Sequence, residues 1–447
     1  MIKKIISFFL IILIIGCKSE YKTFISGKII KPTNNEIQLL KDEKVIKNIN
    51  INNEGIFSTS IDDLNDGLYN FIHLPEFQYL IINKGDSLVL RLNSLDFDES
   101  LVFSGKGASK NNYLIDVFLE HEKDEDYVKK NYKSSRVIFK NIIDSLLKKK
   151  IKHYSGYNFK SNFISDLIIN HAILIPLYSH IENYIIINKN NHSKNIQYFN
   201  KYRNEINLNI NELSHFKLYL DYITLKSINE SFSDKRGYDY NLNFNLLRLN
   251  YIKNQISNKT IKTKLLRYIA YEYLLEEKLL INIDQFIYEF LKISENENTN
   301  SEVSILYKNI TLLQVGKKFP EIKLFNENKI VNGIENNINN KNIYVFWSYD
   351  QNAHQVNLFS KINIFSDKYS NYYFNLININ KDSLKWKNNY SNKFYNNRIK
   401  NFRAVNFESM SKKMILNNLN KVIITDNNGI IKKILTLNYL EKYLENN

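Results

Sequence analysis

The sequence predicts a multidomain α+β protein: a β-sandwich-like N-terminal domain, a helical middle domain and a C-terminal α/β domain. Three observations carry this reading. Half of the chain's 12 glycines fall within Tyr21–Lys110, between short β-branched and aromatic runs. From Asn111 to about 313, only Gly156, Gly237 and Pro176 interrupt long stretches with helical apolar spacing. After 314, apolar runs alternate with amphipathic segments and end in a turn-linked pair, the pattern of a mixed sheet.

Bulk composition bounds the classes of function. A chain of 447 residues fits two to four domains. Its 44% hydrophobic content, rich in Tyr and Phe, supplies packed cores and excludes disorder as the default. Asn, Ile and Lys are over-used throughout, so runs of Asn or Lys are not functional signals here. The formal charge is +15, of which Lys3 and Lys4 supply two, leaving +13 for the rest. No basic run is interleaved with aromatics in a nucleic-acid module, so this charge reads as a solvated basic surface and no nucleic-acid partner is expected.

The N-terminus has the pattern of an export leader. Met1–Lys4 is basic, and Ile5–Ile15 is apolar apart from Ser7, the length of a signal core rather than a membrane span. Ile14-Ile15-Gly16-Cys17 follows and resembles the lipobox of bacterial lipoproteins. The resemblance implies a signal peptide over 1–16, cleavage before Cys17, and acyl chains on Cys17. Several chains, each adding ~0.8 kcal/mol per buried CH₂, make a firm anchor. The expected location is the bacterial cell envelope, lipid-anchored at the periplasmic face or the cell surface. Cys17 is the only Cys in the chain. Once acylated it leaves no thiol for a disulfide or for thiol–disulfide exchange.

Within Tyr21–Lys110, strands are expected at Phe24–Ile30, Glu36–Leu40, Val45–Ile51, Ile56–Ser60, Gly67–Ile72, Tyr79–Ile82, Ser87–Leu92 and Leu101–Phe103. Asn52–Gly55 and Asn83–Asp86 are turns by composition, and Gly85-Asp86-Ser87 reads as a structural turn rather than a ligand loop. The wording ISGKI…NNEGIFS…DGLYNF…LIINKGDSLVL…FSGKGASKNNY resembles the N-terminal β domain of thioredoxin-like lipoproteins common in Bacteroidetes.

Between 111 and 313 five to seven helices are expected, the clearest at Ser134–Ile151, Ser161–Asn188, Ser214–Glu230 and Lys259–Ser294. Asn188–Asn195 and Asn296–Ser301 read as loops between them. None of the histidines, among them His73, His121, His153, His171, His180, His192 and His215, forms a metal-binding spacing, so no metal site is expected. His171 reads as a core or half-core residue.

The expected C-terminal domain, 314–447, opens with a short hairpin around Ile322–Leu324 and Ile330. A buried strand, Ile343–Trp347, runs into a turn and a helix over Asn352–Ser370, with Val356, Phe359, Ile362 and Phe365 on one side. Tyr373–Ile379 is a second strand. Asp382–Tyr395 and Ser409–Leu416 are helical or irregular. Lys421–Thr425 and Ile430–Leu435 are paired strands across Asp426–Gly429, and Leu437–Leu444 is a final helix. The turn after Trp347 thus lies at a strand's carboxyl end and a helix N-terminus, where backbone N–H groups and the dipole favour an anion.

This order resembles the thioredoxin-like fold, and within it the TlpA-type family of thiol:disulfide interchange proteins. Phe346-Trp347 match the end of the family's strand. The resemblance then places Asp350 at the family's Trp, Gln351 at its attacking Cys, His354 at its resolving Cys, and Asn420 at or near its cis-proline. A cis bond before a non-proline residue costs ~2.5–4 kcal/mol, so a trans peptide is expected at Asn420. The domains expected are a signal peptide 1–16, a β domain 17–110, a helical domain 111–313 and a thioredoxin-like domain 314–447. No catalytic residue and no cofactor is expected. Trp347, Asp350, Gln351 and His354 outline a vestigial groove, for which a protein or peptide partner is the expected occupant. Basic residues outnumber acidic ones about two to one from Gln314 onward, which favours an acidic partner or a membrane-facing surface. The reading is a redox-inactive binding or scaffolding lipoprotein. The alternative is an accessory role in thiol–disulfide or peroxide-linked redox homeostasis through a partner's cysteines.

Overall fold

The structure, a computed structural model, describes residues 22–157, 162–232, 238, 241–276, 280–326, 329–332, 341–390, 393–394 and 396–446. The expected leader and Cys17 lie outside them. The chain divides into two compact units, 1–266 and 267–447.

In the first unit, eight strands form where the Gly- and Asn-punctuated runs predict them: β1 (Thr23–Ile30), β2 (Glu36–Lys41), β3 (Lys44–Asn50), β4 (Ile56–Ile61), β5 (Gly67–His73), β6 (Glu76–Ile82), β7 (Ser87–Asn93) and β8 (Val102–Lys106). They make two four-stranded sheets, ordered β4-β1-β7-β8 and β3-β2-β5-β6. β1 is antiparallel to β4 and parallel to β7. Alternation along β7 sends one set of side chains inward: Leu88, Leu90 and Leu92 are buried, while Ser87, Val89 and Arg91 face out. Ile25 and Ile29 from one sheet and Leu39, Phe71 and Leu80 from the other share one core. At Gly27 the strands approach so closely that a Cβ would lie 2.1 Å from the Leu90 carbonyl oxygen, so the strand requires glycine there. The Asn83–Asp86 turn is structural. The Asp86 carboxylate accepts from the Asn83 backbone N–H at 2.8 Å and from the buried Lys110 ammonium at 2.5 Å.

Helices follow: α1 (Phe97–Ser100), α2 (Ala108–Lys130), α3 (Arg136–Gly156), α4 (Phe163–Ile187), α5 (His192–Tyr198), α6 (Asn200–Glu205), α7 (Lys217–Glu230), α8 (Leu242–Gln255) and α9 (Lys259–Glu276), with the division between units falling inside α9. α4 is long and apolar enough to cross a bilayer by length and composition, yet it packs as the core helix of this unit, burying Ile168, Ile175 and Tyr178. The fully buried Glu182 on its inner side takes Arg203 Nε at 2.8 Å and Asn229 Nδ2 at 2.7 Å. His171 is half-buried, its Nδ1 donating to the Leu167 carbonyl at 2.7 Å.

The second unit continues with α10 (Leu280–Ile293) and α11 (Glu297–Leu312). Its sheet has seven strands, β9 (Lys323–Asn326), β10 (Lys329–Asn332), β11 (Lys341–Trp347), β12 (Tyr372–Asn378), β13 (Ile399–Ala404), β14 (Lys421–Thr425) and β15 (Ile431–Thr436), in the order β10-β9-β13-β12-β11-β14-β15. β11, β12 and β13 are parallel, β14 runs antiparallel to β11, and β15 runs antiparallel to β14. α12 (Asn352–Lys368), α13 (Ser383–Tyr390), α14 (Phe407–Met414) and α15 (Leu437–Glu445) fill the crossovers and the end. One face packs α12, α13 and α15 against Val345, Trp347 and Leu376; the other packs α14 against Phe346, Ile377 and Ile423. Burial on both faces is why β11 reads as an unbroken apolar run rather than an alternating one.

Several expectations are corrected. The helical region holds more and shorter helices than five to seven, because single-residue breaks such as Phe199 separate neighbours. Within Lys259–Ser294 the helices α9 and α10 form, and 277–279, on which the expected continuity falls, lie outside the described residues. Asn296–Ser301 is no linker: Asn296 caps α11 by accepting from the Thr299 N–H at 2.9 Å. Asn162, Asn241 and Asn406 cap helices in the same way. Val356 is 62% exposed, not on the packed side of α12. Successive three-residue steps drift about 60° around a helix, which carries Val356 half a turn from Phe365.

Candidate functional site

The site lies where the carboxyl ends of three parallel strands meet the start of α12. Register aligns Trp347, Asn378 and Arg403 in one row across β11, β12 and β13. Trp347 is fully buried, with its ring edge-on to Phe359 at 4.9 Å and its indole N–H making no hydrogen bond. Ser348 then starts the turn. Its hydroxyl accepts from the Asp350 N–H at 3.1 Å and its carbonyl from the Gln351 N–H at 3.3 Å.

Asn380, just past β12, holds this turn from outside. Its side-chain carbonyl accepts from the Tyr349 N–H at 3.1 Å, and its amide donates to the Asp350 carboxylate at 2.5 Å. Asn378 in turn donates to the Asn380 side chain at 3.2 Å and accepts from its N–H at 3.0 Å. The turn is therefore fixed by side-chain amides, the Ser348 hydroxyl and its own main-chain hydrogen bond.

Gln351 is the exposed N-cap of α12, and its side chain makes no capping bond. One turn on, His354 is half-buried, and neither ring nitrogen makes a hydrogen bond of ordinary geometry. Burial lowers its pKa, partly offset by the nearby Leu419 main chain, so the ring is neutral at neutral pH. Leu419 precedes Asn420, so the fold sets the loop expected to replace the cis-proline against His354. The Leu419–Asn420 peptide is trans; among the described residues the cis bond is Leu74–Pro75. Asn420 is exposed, its N–H bonded to Asn418 Oδ1 at 3.0 Å and its carbonyl taken by the Leu437 N–H at 2.8 Å. Of the sequence-derived positions, Trp347, Asp350, Gln351 and His354 thus share one corner, with Asn420 beside it in the chain.

Arg403 is the residue sequence reasoning misses. It lies over the Phe325 ring at 4.4 Å and toward Trp386 at 5.8 Å, and donates to the Lys381 carbonyl at 2.8 Å. Among the described residues no carboxylate lies within ion-pair distance of it. Its strand was not expected, because Lys400, Asn401 and Arg403 break any simple alternation. Among the described residues no cluster of His, Cys, Asp or Glu could hold a metal ion. The corner holds the Asp350 carboxylate, the Asn378, Asn380 and Gln351 amides, the neutral His354 imidazole and the Arg403 guanidinium, a set that can make hydrogen bonds.

From β11 onward the C-terminal unit runs strand, helix, strand, helix, strand, helix, then an antiparallel hairpin and a closing helix. No family model matches the chain, and no curated protein matches it. Solved structures similar to it include the C-terminal domain of a protein described as a thiol-disulfide oxidoreductase of Bacteroides thetaiotaomicron, at 17% identity and TM-score 0.26, covering 30% of this chain and 95% of that one. The thioredoxin domain of a thiol-disulfide oxidoreductase of Bacteroides vulgatus is 15% identical at TM-score 0.24, covering 30% and 99%. A thioredoxin-like protein of Bacteroides caccae is 11% identical at TM-score 0.35, covering 60% and 92%.

Proposed function

We propose that the protein is a lipid-anchored member of the bacterial cell envelope whose thioredoxin-like unit binds or positions a partner and transfers no electrons. One observation carries this reading. The sequence resemblance to TlpA-type proteins puts Gln351 and His354 at the positions of the two thiols, and the chain's single Cys is Cys17, outside that unit. Thiol–disulfide exchange proceeds by a thiolate attacking sulfur, and the corner has neither. The turn is nonetheless held by hydrogen bonds through Asn380, Asn378 and Ser348, which supports retention of the corner for recognition. The exposed Gln351 amide and the neutral His354 ring suit the polar groups of a protein or peptide segment. The expected lipobox at Cys17 supports the anchor.

Insulin reduction by the purified chain at the rate of a protein-free blank is the expected result. Measurable reduction, or repair of scrambled ribonuclease, overturns the reading. A photo-reactive residue at position 351 is expected to give a discrete protein adduct in cells, and its absence removes the recognition role. Cys17→Ser is expected to release the protein from the membrane fraction.

A further inference from the structure

We infer that the outward face of the sheet β4-β1-β7-β8 docks on an anionic phospholipid surface, an inference that rests on the lipid anchor at Cys17 proposed above. Strand register builds the face. Lys28 on β1 lies opposite Arg91 on β7, and their row ends in Ile56 on β4 and Val102 on β8. All four are exposed, Ile56 at 43% and Val102 at 56%. Neighbouring strands stand about 4.8 Å apart, so the two cations repel unless an anion lies between them. Among the described residues neither has a carboxylate within ion-pair distance. Lys31, in the left-handed region at φ 51°, rims the same concavity of about 610 Å³ as Lys28 and Arg91. One carboxylate, Glu54, shares it.

The adjoining rows carry hydroxyls and isolated apolar groups. Ser26 faces Ser58 and Val89, and Phe24 faces Ser60 and Ser87. No outward position on the four strands is Asp or Glu. Cations for phosphate, hydroxyls for the headgroup zone and single apolar side chains at its inner edge are the composition of a membrane-interface surface. An acidic protein partner would match the cations equally, but position favours lipid. Thr23 opens β1 only six residues after Cys17, a reach of at most about 20 Å fully extended. An acylated Cys17 therefore holds this sheet within about two Debye lengths of the bilayer at physiological salt.

The test uses the full acylated chain in vesicles. Because Cys17 would carry the acyl chains, Val102→Cys adds the sole reactive thiol, which takes an environment-sensitive fluorophore. Brominated lipids are expected to quench that label in phosphatidylcholine vesicles containing phosphatidylglycerol and not in phosphatidylcholine alone. Lys47→Cys, exposed on the other sheet, is expected to stay unquenched in both. Lys28→Gln and Arg91→Gln are each expected to lower the docked population about fivefold. Equal quenching in the two vesicle types, quenching at both label sites, or none at either overturns the inference while flotation with vesicles stays intact. Failure of the anchor looks different: the unsubstituted chain would react with maleimide at Cys17 and would not float, and the docking inference would fall with it.

Discussion

The Asn380 side chain bridges Tyr349 and Asp350, accepting from the Tyr349 N–H at 3.1 Å and donating to the Asp350 carboxylate at 2.5 Å. A residue 30 positions downstream thereby closes the turn after β11. Asn380→Ala leaves the Tyr349 N–H without its acceptor. A loss of about 1–2 kcal/mol is expected, since a half-buried donor is left unpaired. Amide hydrogen exchange is the sharper check: the Tyr349 N–H should exchange faster in the variant while the β12 amides hold their rates.

The same corner is expected to accept thiols. Gln351, at φ −112° and ψ 68°, stands off the helix as its N-cap, and His354 sits three residues on. Residues three apart at a helix start have Cβ atoms about 5–6 Å apart, and the non-helical N-cap backbone lets such a pair approach the ~3.5–4.5 Å a disulfide needs. Gln351→Cys with His354→Cys should form an intrachain disulfide on mild oxidation, scored by mass and by loss of alkylation. The thiol at 351, at a helix N-terminus, should titrate below the usual ~8.5. Two thiols that stay reduced under oxidant would show that the corner has drifted from the geometry described.

Much of this was legible in the sequence, and the gaps have physical causes. β7 announces itself in Ser87–Asn93 by strict alternation, and β11 by its unbroken apolar run closed by Trp347. The turn at Asp426–Gly429 is a loop by composition, and Gly429 takes φ 75° there. β13 was hidden because its outer positions are Lys400, Asn401 and Arg403, and its pairing with β12 is a tertiary fact that no local pattern carries. The role of Asn380 is likewise invisible, since one Asn among many gains meaning only from a contact 30 residues away. The over-used Asn turned out to do structural service as helix caps at 162, 241, 296 and 406, a preference any single Asn-x-x segment displays too weakly to read.

In the first unit, the buried charge network around Glu182 sets a third expectation. Arg203 reaches Glu182 at 2.8 Å and Glu230 at 2.8 Å, and Lys226 donates to the Arg203 carbonyl at 2.5 Å. Removing one partner of a buried pair leaves an uncompensated charge, typically costing about 3–5 kcal/mol. Arg203→Met should destabilise on that scale. Adding Glu182→Leu should recover a large part, because the lone carboxylate disappears with it. Urea unfolding followed by far-UV circular dichroism checks both; a double variant no better than the single one would contradict the charge argument.

Stability should also fall on mild acidification, through histidines that fold neutral. Burial pushes His121 down to about 3, with its Nε2 donating to the Ala172 carbonyl, and His180 down to about 4 beside Tyr132. The folded values lie below the ordinary ~6.5, so between about pH 4 and 6.5 the unfolded chain binds more protons than the folded one. Stability contributed above pH 6.5 is therefore lost as pH falls through that window, by about 2 kcal/mol per histidine at pH 5. Urea midpoints measured at pH 7, 6 and 5 should decline accordingly. His121→Gln keeps a donor for Ala172 without a titrating ring, so it should flatten the decline by its own share. An unchanged slope in that variant would place the proton uptake elsewhere.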